Sequence, residues 1–225
     1  MNMKHVIYFF ALLLSLSILS CTNNLKFQEP QPSGDKNEKK FKNSYQGTYL
    51  CLDDSSILFI KKDMMIQEWL ITAEISKNEL DTTAEIKHLN GQYFIEGKDE
   101  PLDITILGDS AVLRYKLTDT LFQLSDNQLL RYFKGQYFLN YKEADDQWIV
   151  KTLNLNREGL LTLSDIHGGE DEIEKIKEMT PVEEITNEEG KVVDYKVQPT
   201  KKELKKILKS DVIQEGSRFQ KIRKL

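Results

Sequence analysis

The sequence predicts a mainly β fold: an antiparallel meander closing into a barrel or sandwich, with a small C-terminal helix plus strands. Short segments rich in β-branched, aromatic and leucine residues recur from Ser44 onward. Glycine, aspartate and asparagine separate them at hairpin spacing. No long stretch between Ser44 and Ile166 combines helical periodicity with caps. The composition agrees, with 225 residues, 40% hydrophobic and 30% charged, and a net charge of -5. It excludes a disordered chain, a collagen and a multi-span membrane protein. The mildly acidic balance lacks the concentrated basic footprint of a nucleic-acid binder.

The expected strands span residues 48–52, 66–75, 92–96, 102–107, 111–117, 121–124, 136–141, 148–155 and 160–166. Turn signals separate them, among them Asn90-Gly91, Gly108-Asp109, Asp145-Asp146 and Glu158-Gly159. A Gly-x-Tyr-apolar core recurs at Gly47, Gly91 and Gly135, with a spacing of 44 residues. That period approaches a propeller blade, but three copies are too few for a propeller. Three hairpin-rich units with tyrosine capping the core would fit it.

The C-terminal third changes character. Residues 170–189 carry nine acidic and two basic side chains, whereas 190–225 carry eleven basic and four acidic ones. Helical spacing is poor around Ile173 and Ile176. Residues 192–197 read as a strand. Thr200 followed by Glu203 fits a capping box, and Leu204, Ile207 and Leu208 form one apolar face, so a helix opens there. A final edge strand is expected over 218–224, where lysine and arginine discourage edge-to-edge pairing.

The N-terminus carries an address. Lys4 and His5 precede an uncharged run over residues 7–19, whose 13 residues suit a signal-peptide core and are too few to span a bilayer. The run closes with Ile18-Leu19-Ser20-Cys21, which resembles the lipobox of bacterial lipoproteins. This resemblance covers the first 21 residues and implies diacylation of the Cys21 sulfur, cleavage before Cys21 and acylation of the new amino terminus. Two or three acyl chains hold a protein stably where one does not. Thr22 is not the aspartate that retains some lipoproteins in the inner membrane. The first acidic residue after Cys21 is Glu29, so an acidic surface-export cluster is missing. The expected location is therefore the outer membrane, with the domain on the periplasmic side. The Lys134-Gly135-Gln136-Tyr137-Phe138 segment and the C-terminal stretch also resemble uncharacterised lipoproteins of flavobacterial type, which implies no activity.

The resulting division is a signal peptide over 1–20, a lipidated Cys21 with a flexible tether over 21–43, a β-rich domain over 44–169, and a C-terminal α/β segment over 170–225 packed on it. Proline, glycine, asparagine and alternating charge in the tether leave it nothing to bury, and a coil of about 20 residues would reach roughly 25 Å.

Candidate chemistry is sparse. With Cys21 lipidated, Cys51 has no disulfide partner and reads as a buried thiol. Past the signal peptide only His88 and His167 remain, and no metal-ligand, nucleophile-elbow, phosphate-loop or dinucleotide motif is present. No metal site and no cofactor are expected. His167-Gly168-Gly169-Glu170-Asp171 reads as a glycine turn or a catalytic loop. Glu170, Asp171, Glu172 and Glu174 read as a solvated face or a calcium cluster lacking the usual ligand order. Asp53-Asp54 and Asp145-Asp146 read as turn residues or as paired carboxylates for glycoside hydrolysis. Trp69 and Trp148 read as core residues on strands or as an aromatic platform for a glycan. Lys201, Lys202, Lys205, Lys206 and Lys209 are candidate contacts for anionic headgroups, for the acidic 170–189 segment or a partner, or a solvated face. The expectation is a non-catalytic binding or structural module of the envelope, with an envelope protein or glycan as partner. An envelope hydrolase and a carrier of a small lipophilic ligand are the alternatives.

Overall fold

The computed structural model describes residues 24–97, 99–166, 168–210, 212–213 and 216–222. The expected signal peptide, Cys21 and His167 lie outside the described residues. In chain order the elements are β1 (Asn24–Phe27), β2 (Gly47–Cys51), β3 (Ile57–Ile60), β4 (Met64–Ser76), α1 (Lys77–Thr82), β5 (Ile86–Leu89), β6 (Gln92–Ile95), β7 (Asp103–Leu107) and β8 (Ser110–Gln123). Then follow β9 (Gln128–Phe133), β10 (Gln136–Lys142), β11 (Trp148–Leu155), β12 (Leu160–Asp165), α2 (Glu170–Lys177), β13 (Val182–Thr186), β14 (Val192–Val197), α3 (Lys201–Ile207) and β15 (Ser217–Lys221). The chain is mainly β, as its turn-punctuated pattern predicts. It forms two compact units: residues up to Lys40 with Leu124–Ser217, and Phe41–Gln123 with the segment from Arg218. The units do not follow the expected boundary between 169 and 170.

In the first unit, β9 to β12 form an antiparallel meander in which Tyr137 pairs with Tyr132 and Leu153, and Leu153 with Leu163. β1 joins β11 antiparallel, with Phe27 opposite Trp148, and lies parallel to β14 from Asn24 opposite Asp194 to Phe27 opposite Val197. β13 closes the row antiparallel to β14. One parallel pair therefore makes this sheet mixed, not purely antiparallel. Both helices pack on it, Ile173 and Ile176 of α2 and Leu204 and Ile207 of α3 sharing a core with Leu25, Phe27, Phe138, Trp148, Val150 and Val197. The three-residue step from Ile173 to Ile176, continued by Met179, is enough of a stripe to seat α2. The capping box of α3 forms as the sequence implies: the Thr200 side chain accepts from the Glu203 amide and Glu203 accepts from the Thr200 amide.

The stretch expected to be a tether is built into this unit from Asn24 onward. Leu25 and Phe27 alternate into the core, and Lys26 on the other face pairs with Asp194 at 3.0 Å. The polar residues beyond are used, not solvated. Asn140, fully buried, accepts from the Gln31 amide at 2.5 Å and donates to the Gln31 carbonyl at 2.9 Å. Arg131 donates to the carbonyls of Pro30 and Pro32 and to Asn37 Oδ1, and Glu38 N–H reaches the Leu130 carbonyl. Composition reads such a segment as coil because its partners are distant in sequence.

In the second unit the antiparallel order is β15-β2-β3-β4-β8-β7. Residues 111–124, expected as two strands, form one strand, because β8 pairs along the whole of β4 from Gln123 opposite Met64 to Ser110 opposite Ser76. A bulge between Met65 and Ile66 absorbs one irregularity. Tyr49, Cys51, Leu58, Met65, Phe122 and Phe219 are buried, and Phe41 meets Phe122 edge to face at 5.9 Å. Burial pushes the Tyr49 hydroxyl up to about 12, and it donates to the Tyr45 carbonyl. A smaller core at the far end of the β4–β8 ribbon joins Leu80 of α1, Tyr93 of the β5–β6 hairpin and Ala111. Neither unit's strand ladders, among the described residues, close into a barrel.

The 44-residue recurrence has a local cause. Gly47, Gly91 and Gly135 all have positive φ, and the tyrosine two residues on is buried each time. Gly91 and Gly135 sit in hairpin turns whose preceding residues, Asn90 and Lys134, are also left-handed. The elements around the three differ, so the spacing does not repeat a common unit.

Burial of β1 makes a direct prediction. Phe27→Ala should destabilise the first unit by about 3–5 kcal/mol, read from its urea midpoint, because it empties a fully buried aromatic site. A tether residue would leave the midpoint unchanged.

Candidate functional site

The least covered part of the second unit is the middle of its long ribbon. β3 leaves β4 at the pair Ile57–Glu68, and among the described residues no strand pairs with the outer edge of β4 beyond it. Trp69 faces Leu117 and Ile71 faces Tyr115 across the ribbon, while Leu70 and Lys116 pair on the opposite face. Leu70 is 62% exposed, Ile71 47% and Leu117 45%. Such an edge combines unpaired main-chain donors and acceptors with apolar side chains on both faces. Across β8 from this edge lies a cavity of about 300 Å³ lined by Leu70, Ile95, Pro101, Leu102, Tyr115 and Lys116. Its cations are already engaged, Arg114 by Asp103 at 3.7 Å and Lys116 by Glu68 at 3.4 Å. This arrangement can receive an extended chain. The strand expected over 66–75 is present within β4, but its open edge is not foreseen from sequence. The available signal was Trp69-Leu70-Ile71-Thr72-Ala73, five uncharged residues without alternation.

The base of the ribbon is fixed by a polar cluster on the β2–β3 turn. Asp54 accepts from the Ser56 amide at 2.9 Å, from the Ser56 hydroxyl at 2.5 Å and from Trp69 Nε1 at 2.9 Å. Ser56 Oγ accepts in turn from Gln67 Nε2 at 2.6 Å. Partial burial works to raise the Asp54 pKa, but the hydrogen bonds from Ser56, the Cys51 thiol and Trp69 outweigh it and hold the carboxylate well below its usual range. Asp53 accepts from the Arg218 amide at 3.1 Å and pairs with its guanidinium. Asp54 thus serves the turn and the orientation of Trp69, and Asp53 ties the turn to β15; Trp69 is half-buried, whereas Trp148 is buried in the first unit.

The other sequence candidates are dispersed. Cys51 is buried. His88 stacks on Tyr93 with ring centroids 4.3 Å apart. Asp146 pairs with Lys142 at 2.6 Å and belongs to the first unit, whereas Asp53 and Asp54 belong to the second. In the acidic segment, Glu174 and Glu184 both meet Lys177, and Glu183 meets Lys196. Of the α3 lysines, Lys201 reaches Asp35 at 2.5 Å, so it ties the helix to the N-terminal segment. Lys202, Lys205, Lys206 and Lys209 are exposed, and among the described residues they form no ion pair. No group of three or more His, Cys, Asp or Glu side chains that could hold a metal occurs among the described residues, and none of their helices is long and apolar enough to cross a membrane.

The depressed Asp54 pKa gives a pH prediction. Its stabilising contribution is complete above the unfolded value near 3.8 and is lost as pH falls from there toward the lower folded value. Wild type should therefore exceed Asp54→Asn in stability at neutral pH, and the difference should shrink below about pH 4 in paired thermal melts. A difference constant across that window contradicts the assignment. Comparison with protein-family models, curated proteins and solved structures finds no match to this chain.

Proposed function

We propose that this chain is a lipid-anchored cell-envelope protein, attached through Cys21 to the outer membrane with its folded units on the periplasmic side. Its second unit acts as a non-catalytic binding module that takes an extended segment of another envelope protein onto the edge of β4. The observation that supports this reading is the open edge from Leu70 to Glu74, with Leu70 and Ile71 exposed on opposite faces. A strand laid along it gains main-chain hydrogen bonds and apolar contacts on either side, the mode of β-strand addition. Lys202, Lys205, Lys206 and Lys209 are a second surface available to anionic headgroups or to an acidic partner.

A photo-crosslinking residue at Thr72 in cells should give a discrete adduct. Leu70→Lys and Ile71→Lys, both at exposed positions, should abolish it without changing the melting temperature. Absence of an adduct, or one indifferent to both changes, contradicts the binding role. Cys21→Ala should move the protein from the membrane to the soluble fraction.

A further inference from the structure

The free edge of β4 is a slot of fixed length. At one end β3 stops with Ile57 opposite Glu68, and at the other the Ser76 side chain accepts from the Glu79 amide to open α1. Leu70 to Glu74 lie between, roughly 17 Å of chain at strand rise. Lys77 N–H donates to the Asp109 carbonyl in register with the β4–β8 ladder, so Ile75, Ala73 and Ile71 turn their main-chain groups toward β8. Leu70, Thr72 and Glu74 therefore turn theirs outward. The β3 side gives the same parity, because Lys61 N–H reaches the Met64 carbonyl in the register that continues to Glu68. The side chains of Leu70, Thr72 and Glu74 share one face with Lys116, Arg114 and Val112, their partners across the ladder.

Charge on that face is unevenly matched. Lys116 meets Glu68 at 3.4 Å, and Arg114 turns to Asp103 at 3.7 Å and to Thr105 Oγ1 at 3.1 Å. Glu74 is exposed beside Val112 and forms no ion pair among the described residues. Leu70, four residues earlier on the same face, is largely exposed. We infer that the segment received by this edge runs antiparallel to β4, as β3 and β8 do, and carries lysine or arginine opposite Glu74 and an aliphatic residue opposite Leu70. This rests on the binding role proposed for the edge and adds the chemistry of its partner. Opposite charges facing each other across a ladder stabilise the pairing, and like charges oppose it. A second copy of the chain fits worse. Self-pairing centred on Thr72 sets Glu74 of each copy against Leu70 of the other, a carboxylate against an aliphatic side chain, twice.

The test uses the purified full chain with the photo-crosslinking residue at Thr72, and the synthetic peptides Ser-Lys-Thr-Thr-Val-Ile-Ser and Ser-Glu-Thr-Thr-Val-Ile-Ser. Half-maximal labelling should need about two- to fivefold less of the lysine peptide, the range of a cross-strand charge pair. Glu74→Lys should reverse the preference and Glu74→Gln should remove it, both with an unchanged melting temperature because Glu74 is exposed. Equal labelling by both peptides that Glu74→Lys leaves equal and Leu70→Lys abolishes overturns the inference and leaves the binding edge standing. An adduct joining two copies of the chain overturns it in favour of self-association. Labelling by neither peptide also overturns it, and the binding role then stands or falls with the adduct formed at Thr72 in cells.

Discussion

The parallel pairing of β1 with β14 is the contact on which the first unit depends. It joins the first described residues to the C-terminal third, and it carries Leu25 and Phe27 into a core shared with both helices. Burying two such side chains contributes on the order of 1.5–3 kcal/mol each. Its connection is non-local, so the loop between the strands must be closed before the pairing repays that cost. The polar segment after Phe27 then has fixed partners, and Asn140 and Arg131 satisfy its backbone where water otherwise would. Lys201 and Gln198 extend the same attachment, through Asp35 and Glu29.

The second unit shows a different balance. Its main core is dense around Tyr49, Leu58, Met65 and Phe122, and its distal core is small. Between them the β4–β8 ribbon is held chiefly by its own ladder, with Trp69 oriented by Asp54 at one end. A chain that only needed to be stable would shield such an edge with lysine, proline or a bulge. Here Leu70 and Ile71 stand uncovered, which is why the binding proposal is placed on this edge and not on a carboxylate cluster. Of the carboxylates that composition offered for chemistry, Asp53, Asp54, Asp146 and Glu174 are tied to the turns, helices and strands beside them.

Much of this fold was legible locally. β11 matches its expected limits, the capping box of α3 forms, and the Asn90-Gly91 turn follows from its residue types. β1 was not legible. Asn24-Leu25-Lys26-Phe27 alternates correctly, but four residues beside a proline- and charge-rich stretch carry too little pattern, and what makes them a strand is β14, far along the chain. The same holds for the candidate site. β4 announces itself as a strand, whereas its open edge depends on where β3 stops, a property of register that single-sequence periodicity does not contain. Cys21 is the reverse case, read from sequence alone and lying outside the described residues.

Amide hydrogen exchange at Leu25, Lys26 and Phe27 in the intact protein tests the β1–β14 pairing directly. Pairing with β14 along the strand, and with β11 at Phe27, predicts that these amides exchange as slowly as those of Tyr195 and Val197, opening only with the unit as a whole. Exchange at the rate of an unstructured peptide would contradict it. Residues 24–27 would then be a tether after all.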